Sequence, residues 1–186
     1  FKPDLAEAHS NLGTTLKELG RLNEAEASYR QAIALKADFA EAHNNLGNTL
    51  QELGKLDEAE ASLRQAVVLK PDYAEAHSNL GNTLRELGRL DEAEPSHRRA
   101  IVLKPDLADA HYNLGITLQE LGRLDDALAS YTQAITLNPD YAKAYSNLGV
   151  TLQELGRLDE VEAGLRQAIA LKPDYAEAHY NLGNRL

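Results

Sequence analysis

The chain has 186 residues, no cysteine and a formal net charge of −10, so disulfides, thiol nucleophiles and thiolate metal ligands are excluded while the redox compartment stays open. No apolar run approaches the length of a membrane span or of a signal-peptide core, and we expect no contact with a membrane. The acidic balance also argues against nucleic acid as a partner, because phosphates would have to approach a negative surface; a neutral or basic protein segment is easier to accommodate.

Two sets of glycines recur every 34 residues along the chain. A period of this length predicts a stack of helical pairs. It divides the chain into the tail of a preceding repeat (1–5), five repeats (6–39, 40–73, 74–107, 108–141 and 142–175) and the first helix of a sixth (176–186). Both ends are therefore expected to be cut from a longer array. The two sets are Gly13, Gly47, Gly81, Gly115, Gly149 and Gly183, and Gly20, Gly54, Gly88, Gly122 and Gly156.

Two helices are predicted in each repeat, with positions 1 to 34 counted from its opening alanine. In the second repeat, Asp38 and Glu41 have capping-box spacing and predict the start of a first helix. Gly54, at position 15, predicts a left-handed residue that ends this helix. Asp57 and Glu60 repeat the capping-box spacing and predict the start of a second helix. The resulting hairpin is too short to be stable alone and must stack on its neighbours.

Apolar or small residues recur at positions 3, 7, 8, 11, 14, 17, 20, 24, 27, 28 and 30, which gives each helix a stripe to bury. Glycine at position 8 and alanine at positions 20 and 27 predict close approach of the helix backbones. His97 stands at position 24, where Tyr29 and Tyr131 stand in other repeats. We interpret His97 as a core residue.

The repeated pattern A-E-A-H-x-N-L-G-x-T-L-x-E-L-G-x-L-D-E-A, followed by A-I-x-L-x-P-D-Y, resembles the tetratricopeptide repeat (TPR) family over the whole chain. Asparagine at position 6 and the closing L-K-P-D-Y are similar to the superhelical TPR domain of O-linked N-acetylglucosamine transferases. The resemblance implies an all-α fold, a right-handed α-solenoid of antiparallel helix hairpins in which the first helices line a concave face. It also implies binding of peptides or proteins. No residue of the transferase's catalytic domain is present, so we expect neither enzymatic activity nor a cofactor.

Positions 2, 6, 9 and 13 share one face of the first helix, and these are the ligand-facing positions of the family. Stacking would set the position-6 amides side by side at about 10 Å, which is about three residues of extended peptide. An amide pairs with a peptide backbone whatever the ligand's side chains, so this row predicts sequence-tolerant binding. A purely structural role in capping or spacing helices stays open. The row comprises Asn11, Asn45, Asn79, Asn113, Asn147 and Asn181.

Positions 5 and 9 predict that the groove changes character along the chain. Asn48 and Asn82 make its N-terminal part polar, whereas Tyr112, Ile116 and Val150 predict an apolar side-chain pocket further along. Ordinary surface variation is the alternative interpretation of that patch.

Other TPR domains clamp a ligand's terminal carboxylate with lysine and arginine at positions 2, 5 and 6. Here those positions are acidic, small or asparagine, which excludes this mode of binding. The histidines at position 4 lie in separate repeats, too far apart to share one metal ion, and a packing role is expected for them. No catalytic or metal-binding residue is therefore predicted. These histidines are His9, His43, His77, His111 and His179.

The leading hypothesis is a scaffold that binds an extended segment of a partner protein in its concave groove. A second hypothesis is the substrate-recruiting arm of a larger enzyme such as a glycosyltransferase. A third is head-to-tail self-assembly through the truncated ends, since such a contact can propagate.

Overall fold

The computed structural model describes the backbone of residues 3–183 and the side chains in that range except those of Pro3, Asp4, Leu158 and Glu177. Every regular element in these residues is an α-helix, and the chain divides between Leu103 and Lys104 into two compact units. The first unit contains α1 (Pro3–Glu18), α2 (Leu22–Leu35), α3 (Ala40–Glu52), α4 (Leu56–Leu69), α5 (Ala74–Glu86) and α6 (Leu90–Leu103). The second contains α7 (Ala108–Glu120), α8 (Leu124–Leu137), α9 (Ala142–Glu154), α10 (Leu158–Leu171) and α11 (Ala176–Gly183).

Within each unit the helices pack as consecutive hairpins. In the first unit α1 packs on α2, α3 on α4 and α5 on α6, while α2–α3 and α4–α5 contacts join the hairpins. The first helices also contact one another, α1 with α3 and α3 with α5, whereas α2, α4 and α6 do not approach each other's backbones in the described residues. The unit therefore curves toward its first helices. In the second unit, α7 with α9 and α9 with α11 make the same contacts. The predicted all-α solenoid of antiparallel hairpins is confirmed within each unit.

Each first helix ends as the glycine pattern predicts. Gly54 has a φ of 73°, and its N–H bonds to the carbonyl of Gln51 at 2.9 Å. The N–H of Lys55 then reaches back to the carbonyl of Leu50, also at 2.9 Å. These two bonds form a Schellman-type end that an L-residue with a side chain would strain. The equivalent glycines have φ values of 73° to 75°.

The predicted capping boxes are wrong. The residue before α3 is Phe39 rather than Asp38, and it makes no side-chain cap hydrogen bond. The second helices begin one residue before the predicted aspartate, and α2 follows Arg21. The residue before α4 is Lys55, which makes no side-chain cap hydrogen bond and pairs instead with Glu26 of α2. At α2 a charge pair spans the first turn, because the Arg21 guanidinium donates two hydrogen bonds to Glu24 at 2.7 and 2.6 Å. This arrangement recurs at Arg89–Glu92, Arg123–Asp126 and Arg157–Glu160.

Glycine at position 8 makes room for the side chain at position 24 of the facing helix. A Cβ on Gly13 would lie 2.7 Å from the ring of Tyr29, and a Cβ on Gly115 would lie 2.6 Å from Tyr131. Such distances are shorter than carbon atoms tolerate, so a bulkier residue would displace the second helix. The close approach at this glycine is therefore between the backbone of the first helix and a side chain of the second helix, rather than between two backbones. In the remaining described repeats the position-24 residues are Leu63, His97 and Leu165.

Ion pairs join successive second helices of the first unit at its outer surface. Arg30 contacts Glu26 in its own helix at 3.0 Å and Glu58 in α4 at 2.6 Å, while Lys55 contacts Glu26 at 2.8 Å. The next pair of helices repeats the network through Glu60, Arg64, Arg89 and Glu92. In the second unit Leu128 stands at the position of Glu26 and Glu60, and it packs against the apolar cluster of Leu152, Val161 and Leu165.

Candidate functional site on the concave face

The position-6 asparagines lie on the first helices, at the side toward which each unit curves. Asn11 is exposed, and the others in the row are half-buried. A threonine four residues later fixes the same turn of helix, because its hydroxyl donates to the asparagine's carbonyl. Thr49 donates to Asn45 at 2.8 Å and Thr83 to Asn79 at 3.1 Å. Both threonines are fully buried, so the backbone beneath each amide is held from inside.

The asparagine side chains also contact the preceding first helix. The Asn79 Nδ2 donates to Asn44 Oδ1 at 2.9 Å, and Asn44 in turn donates to Asn45 Oδ1 at 3.3 Å. This chain of amides links α3 to α5. In the described residues, the second N–H and the Oδ1 of Asn79 have no other partner. The row therefore has a structural role, and the binding of a ligand along it stays a prediction.

Tyrosines replace this amide chain in the second unit. Asn147 Nδ2 lies 3.3 Å from the Tyr112 hydroxyl and 3.5 Å from the Tyr131 hydroxyl. The Tyr112 ring stacks in a tilted arrangement on Tyr141, with centroids 4.8 Å apart, and on Tyr131 at 5.9 Å. The Tyr141 hydroxyl donates to Asp109 at 2.7 Å. Tyr112 is thus fixed by its neighbours rather than free to move in the groove.

The other residues predicted for the groove are half-buried side chains of the first helices. Ile116 and Val150 are half-buried on α7 and α9, in the same unit as Tyr112. Asn48 and Asn82 are half-buried on α3 and α5, and the Oδ1 of Asn82 is buried with no partner in the described residues. An apolar pocket formed by Tyr112, Ile116 and Val150 remains a prediction.

Two tyrosine hydroxyls from second helices reach the concave face, which the sequence interpretation missed. Tyr29 is only 1% exposed, but its ring crosses Gly13 and its hydroxyl lies 3.1 Å from Thr14 Oγ1, at position 9. Tyr131 crosses Gly115 in the same way and donates to Gln119 Oε1 at 2.9 Å. Burial raises the pKa of both phenols, so they are neutral near pH 7. Glycine at position 8 paired with tyrosine at position 24 is the sequence signal that would have identified them.

A second row of contacts follows the end of the first helices. Residues at position 12 reach the glutamate at position 13 of the next repeat, as in Lys17–Glu52 at 3.0 Å and Gln51–Glu86 at 2.7 Å. Gln119–Glu154 at 2.9 Å repeats the contact in the second unit. These pairs hold adjacent first helices in register and place carboxylates at one edge of the groove.

The position-4 histidines hold the preceding loop rather than pack in the core. The Nε2 of His43 lies 3.1 Å from the carbonyl oxygen of Ala37, and His77 and His111 contact Pro71 and Pro105 at 3.1 and 3.0 Å. Among the side chains that the structure describes, no group of three histidine, aspartate or glutamate residues is placed to hold a metal ion. His97 is fully buried, so its interpretation as a core residue is confirmed. Across the same residues, no helix is both long and apolar enough to span a membrane.

Comparison with known proteins agrees with this architecture. A TPR repeat family model matches residues 13–54, 117–156 and 157–185, and tetratricopeptide repeat models match 44–108 and 98–129. No curated protein matches the chain.

Among solved structures, YrrB, a TPR protein described as having an unusual peptide-binding site, is 26% identical with a TM-score of 0.74, over 96% of this chain and 91% of its own. MamA protein is 26% identical with a TM-score of 0.77 over 95% and 96% of the two chains. TTC0263, a thermophilic TPR protein of Thermus thermophilus, is 25% identical with a TM-score of 0.78 over 96% and 97%. The chain belongs to the tetratricopeptide repeat family.

Proposed function

We propose that this protein is a non-enzymatic scaffold that binds an extended segment of a partner protein along the asparagines of its concave face. The contact between Asn79 and Asn44 carries the proposal. It orients one amide toward the neighbouring helix and leaves further hydrogen-bonding atoms of the same side chain for a ligand. Because the backbone under this amide is fixed by buried Thr83, the ligand would meet a prearranged row and lose less entropy on binding.

Family membership and the relatives support the same class of function. YrrB is described as binding a peptide at an unusual site, and it shares 26% identity over nearly the whole chain. The carboxylates recur as rows rather than as one unique constellation, which supports a role in binding and not in catalysis. The overall charge of −10 favours a neutral or basic segment over nucleic acid or an anionic membrane.

Several asparagines must act together for useful affinity. Each neutral hydrogen bond contributes about 1 kcal/mol, while association costs about 4 kcal/mol or more. The asparagines of the two units differ in their contacts. In the second unit the Asn147 amide nitrogen already lies within hydrogen-bonding distance of the Tyr112 and Tyr131 hydroxyls. We therefore assign most of the backbone pairing to Asn45 and Asn79 in the first unit.

A peptide selected from a randomised twelve-residue library tests the proposal by fluorescence anisotropy with the intact chain. Asn79→Ala should weaken binding about fivefold, because one lost hydrogen bond is worth about 1 kcal/mol. Asn23→Ala is the matched control, since Asn23 is exposed at the start of α2 and outside the concave face. Equal affinities of Asn79→Ala and the unmodified chain, both shown to be folded by circular dichroism, would remove the asparagine row from the proposal.

A further inference from the structure

A polar cavity of about 380 Å³ lies on the concave face of the first unit, between α1 and α3. Its volume is within the range of ligand pockets, which begin at about 300 Å³. The repeat pattern does not predict it, because one of its walls comes from a second helix. It is lined by Thr14, Lys17, Glu18, Tyr29, Asn45 and Glu52.

The hydroxyl groups in this cavity offer acceptors rather than donors. Thr14 Oγ1 donates to the carbonyl oxygen of Ser10 at 3.2 Å. With that hydrogen committed, the contact of 3.1 Å between Thr14 and Tyr29 requires the phenol to donate to Thr14 Oγ1. Both hydroxyl hydrogens are then used within the protein. Lone pairs of the two oxygens remain for a ligand.

The charges around the cavity also favour a hydrogen-bond donor. Lys17 is held by Glu52 at 3.0 Å, so one positive and one negative charge compensate each other. Glu18 is exposed at the cavity's edge and has no ion-pair partner among the described residues. The lining therefore carries one uncompensated negative charge beside two hydroxyl acceptors.

We propose that this cavity binds the cationic side chain of a lysine or arginine in the extended segment that occupies the groove. Both side chains are donors without an acceptor, which matches a cavity whose hydroxyl hydrogens are already used. The cation would lie between the Glu18 carboxylate and the oxygens of Thr14 and Tyr29. Asn45 is next to it and would hold the backbone of the same segment. The inference rests on the proposed binding of a peptide along the concave face, and it adds a preference for one type of side chain.

The neighbouring position along the groove offers a comparison within the same unit. Between α3 and α5 the residue beneath the groove is Leu63, which crosses Gly47 and supplies no hydroxyl. Glu86 stands there at the position equivalent to Glu52, and it accepts a hydrogen bond from Gln51 at 2.7 Å. The two positions thus share carboxylates but differ in the buried tyrosine. Comparing the two positions therefore distinguishes cation binding in this cavity from a general attraction of cations to the acidic edge of the groove.

The test uses three twelve-residue peptides of alanine, serine and threonine that carry lysine, norleucine or glutamate at one central position. Their affinities for the intact chain are measured by NMR titration at peptide concentrations up to millimolar. The lysine peptide should bind about tenfold more tightly than the norleucine peptide, the value of one charge-assisted hydrogen bond. Glu18→Gln and Tyr29→Phe should each reduce this preference to about threefold. Asp57→Asn, which removes one negative charge outside the cavity, should leave it unchanged.

The outcomes separate this inference from the proposed function. If none of the peptides binds, the proposed function is contradicted and the inference falls with it. If the lysine and norleucine peptides bind equally, only the cavity's role is refuted. If Glu86→Gln reduces the preference as much as Glu18→Gln does, the preference comes from the acidic edge, and the cavity assignment is again refuted.

Discussion

Replacing His97 with leucine should stabilise the protein, and more so in acid. His97 is fully buried at position 24, and neither of its ring nitrogens has a hydrogen-bond partner in the described residues. Leucine occupies the same position above glycine at Leu63 and Leu165, so the substitution fits the geometry. A buried polar group without a partner costs about 1–3 kcal/mol, and we expect His97→Leu to recover about that much at pH 7.5.

The pH dependence follows from the same burial. Loss of solvent around the imidazole, with a smaller effect of nearby Arg85, lowers the pKa of His97 to about 3. The unfolded chain takes up a proton near pH 6.5 and the folded chain does not, so stability is lost as pH falls from about 6.5 toward 3. At pH 5 this linkage amounts to about 2 kcal/mol. The advantage of His97→Leu should therefore grow by about 2 kcal/mol between pH 7.5 and pH 5.

Urea unfolding followed by circular dichroism measures both effects when it is carried out on the two proteins at both pH values. The other histidines are present in both proteins, so their titration cancels in the difference. A stability difference that stays constant between pH 7.5 and pH 5 would show that His97 titrates normally in the folded state. That result would refute the reasoning from burial.

Two further predictions concern packing and charge. Gly13→Ala should destabilise the protein by about 1–3 kcal/mol in thermal unfolding, because its Cβ would lie 2.7 Å from the Tyr29 ring. Gly183→Ala is the control in the same assay, since a Cβ there would meet no atom within 4 Å. Equal effects of the two alanines would contradict the proposed fit. Glu60→Gln should cost up to about 1 kcal/mol at low salt and less at 1 M salt, because Glu60 pairs with Arg64 of its own helix and with Arg89 just before α6. Glu162→Gln should cost almost nothing, since Glu162 forms an exposed pair with one arginine. A cost that does not change with salt would argue against the ion-pair network.

The sequence predicted those features that depend on one repeat and its period. The hairpins, the left-handed glycines and the placement of asparagines on the first helices all follow from spacing along the chain. The capping boxes are wrong because α3 and α4 begin after Phe39 and Lys55, and neither residue makes a side-chain cap hydrogen bond. At α2 the polar side chains of the first turn pair with each other, Arg21 with Glu24. Spacing alone does not show which of several polar side chains will bond a helix end.

Features that depend on contacts between two repeats were harder to predict from the sequence. The contact of Asn79 with Asn44 joins residues of successive repeats, so their lateral positions had to be known before it could be seen. Position 24 belongs to the buried stripe that the pattern predicts, and Tyr29 and Tyr131 at this position are both buried. Their hydroxyls nevertheless reach the groove because the facing glycine leaves a gap in the first helix. A periodicity argument identifies the buried side of a helix but not how far a long side chain extends beyond it.

Binding of a peptide to the concave face is the central claim, and mapping by NMR tests it most directly. The side-chain amide signals of the chain would be followed during titration with the selected twelve-residue peptide. We predict that the signals of Asn45 and Asn79 shift and those of Asn23 and Asn138 stay in place. Shifts confined to the outer surface, around Ala61 and Gln65 on α4, with no change at Asn45 or Asn79, would contradict the proposed function.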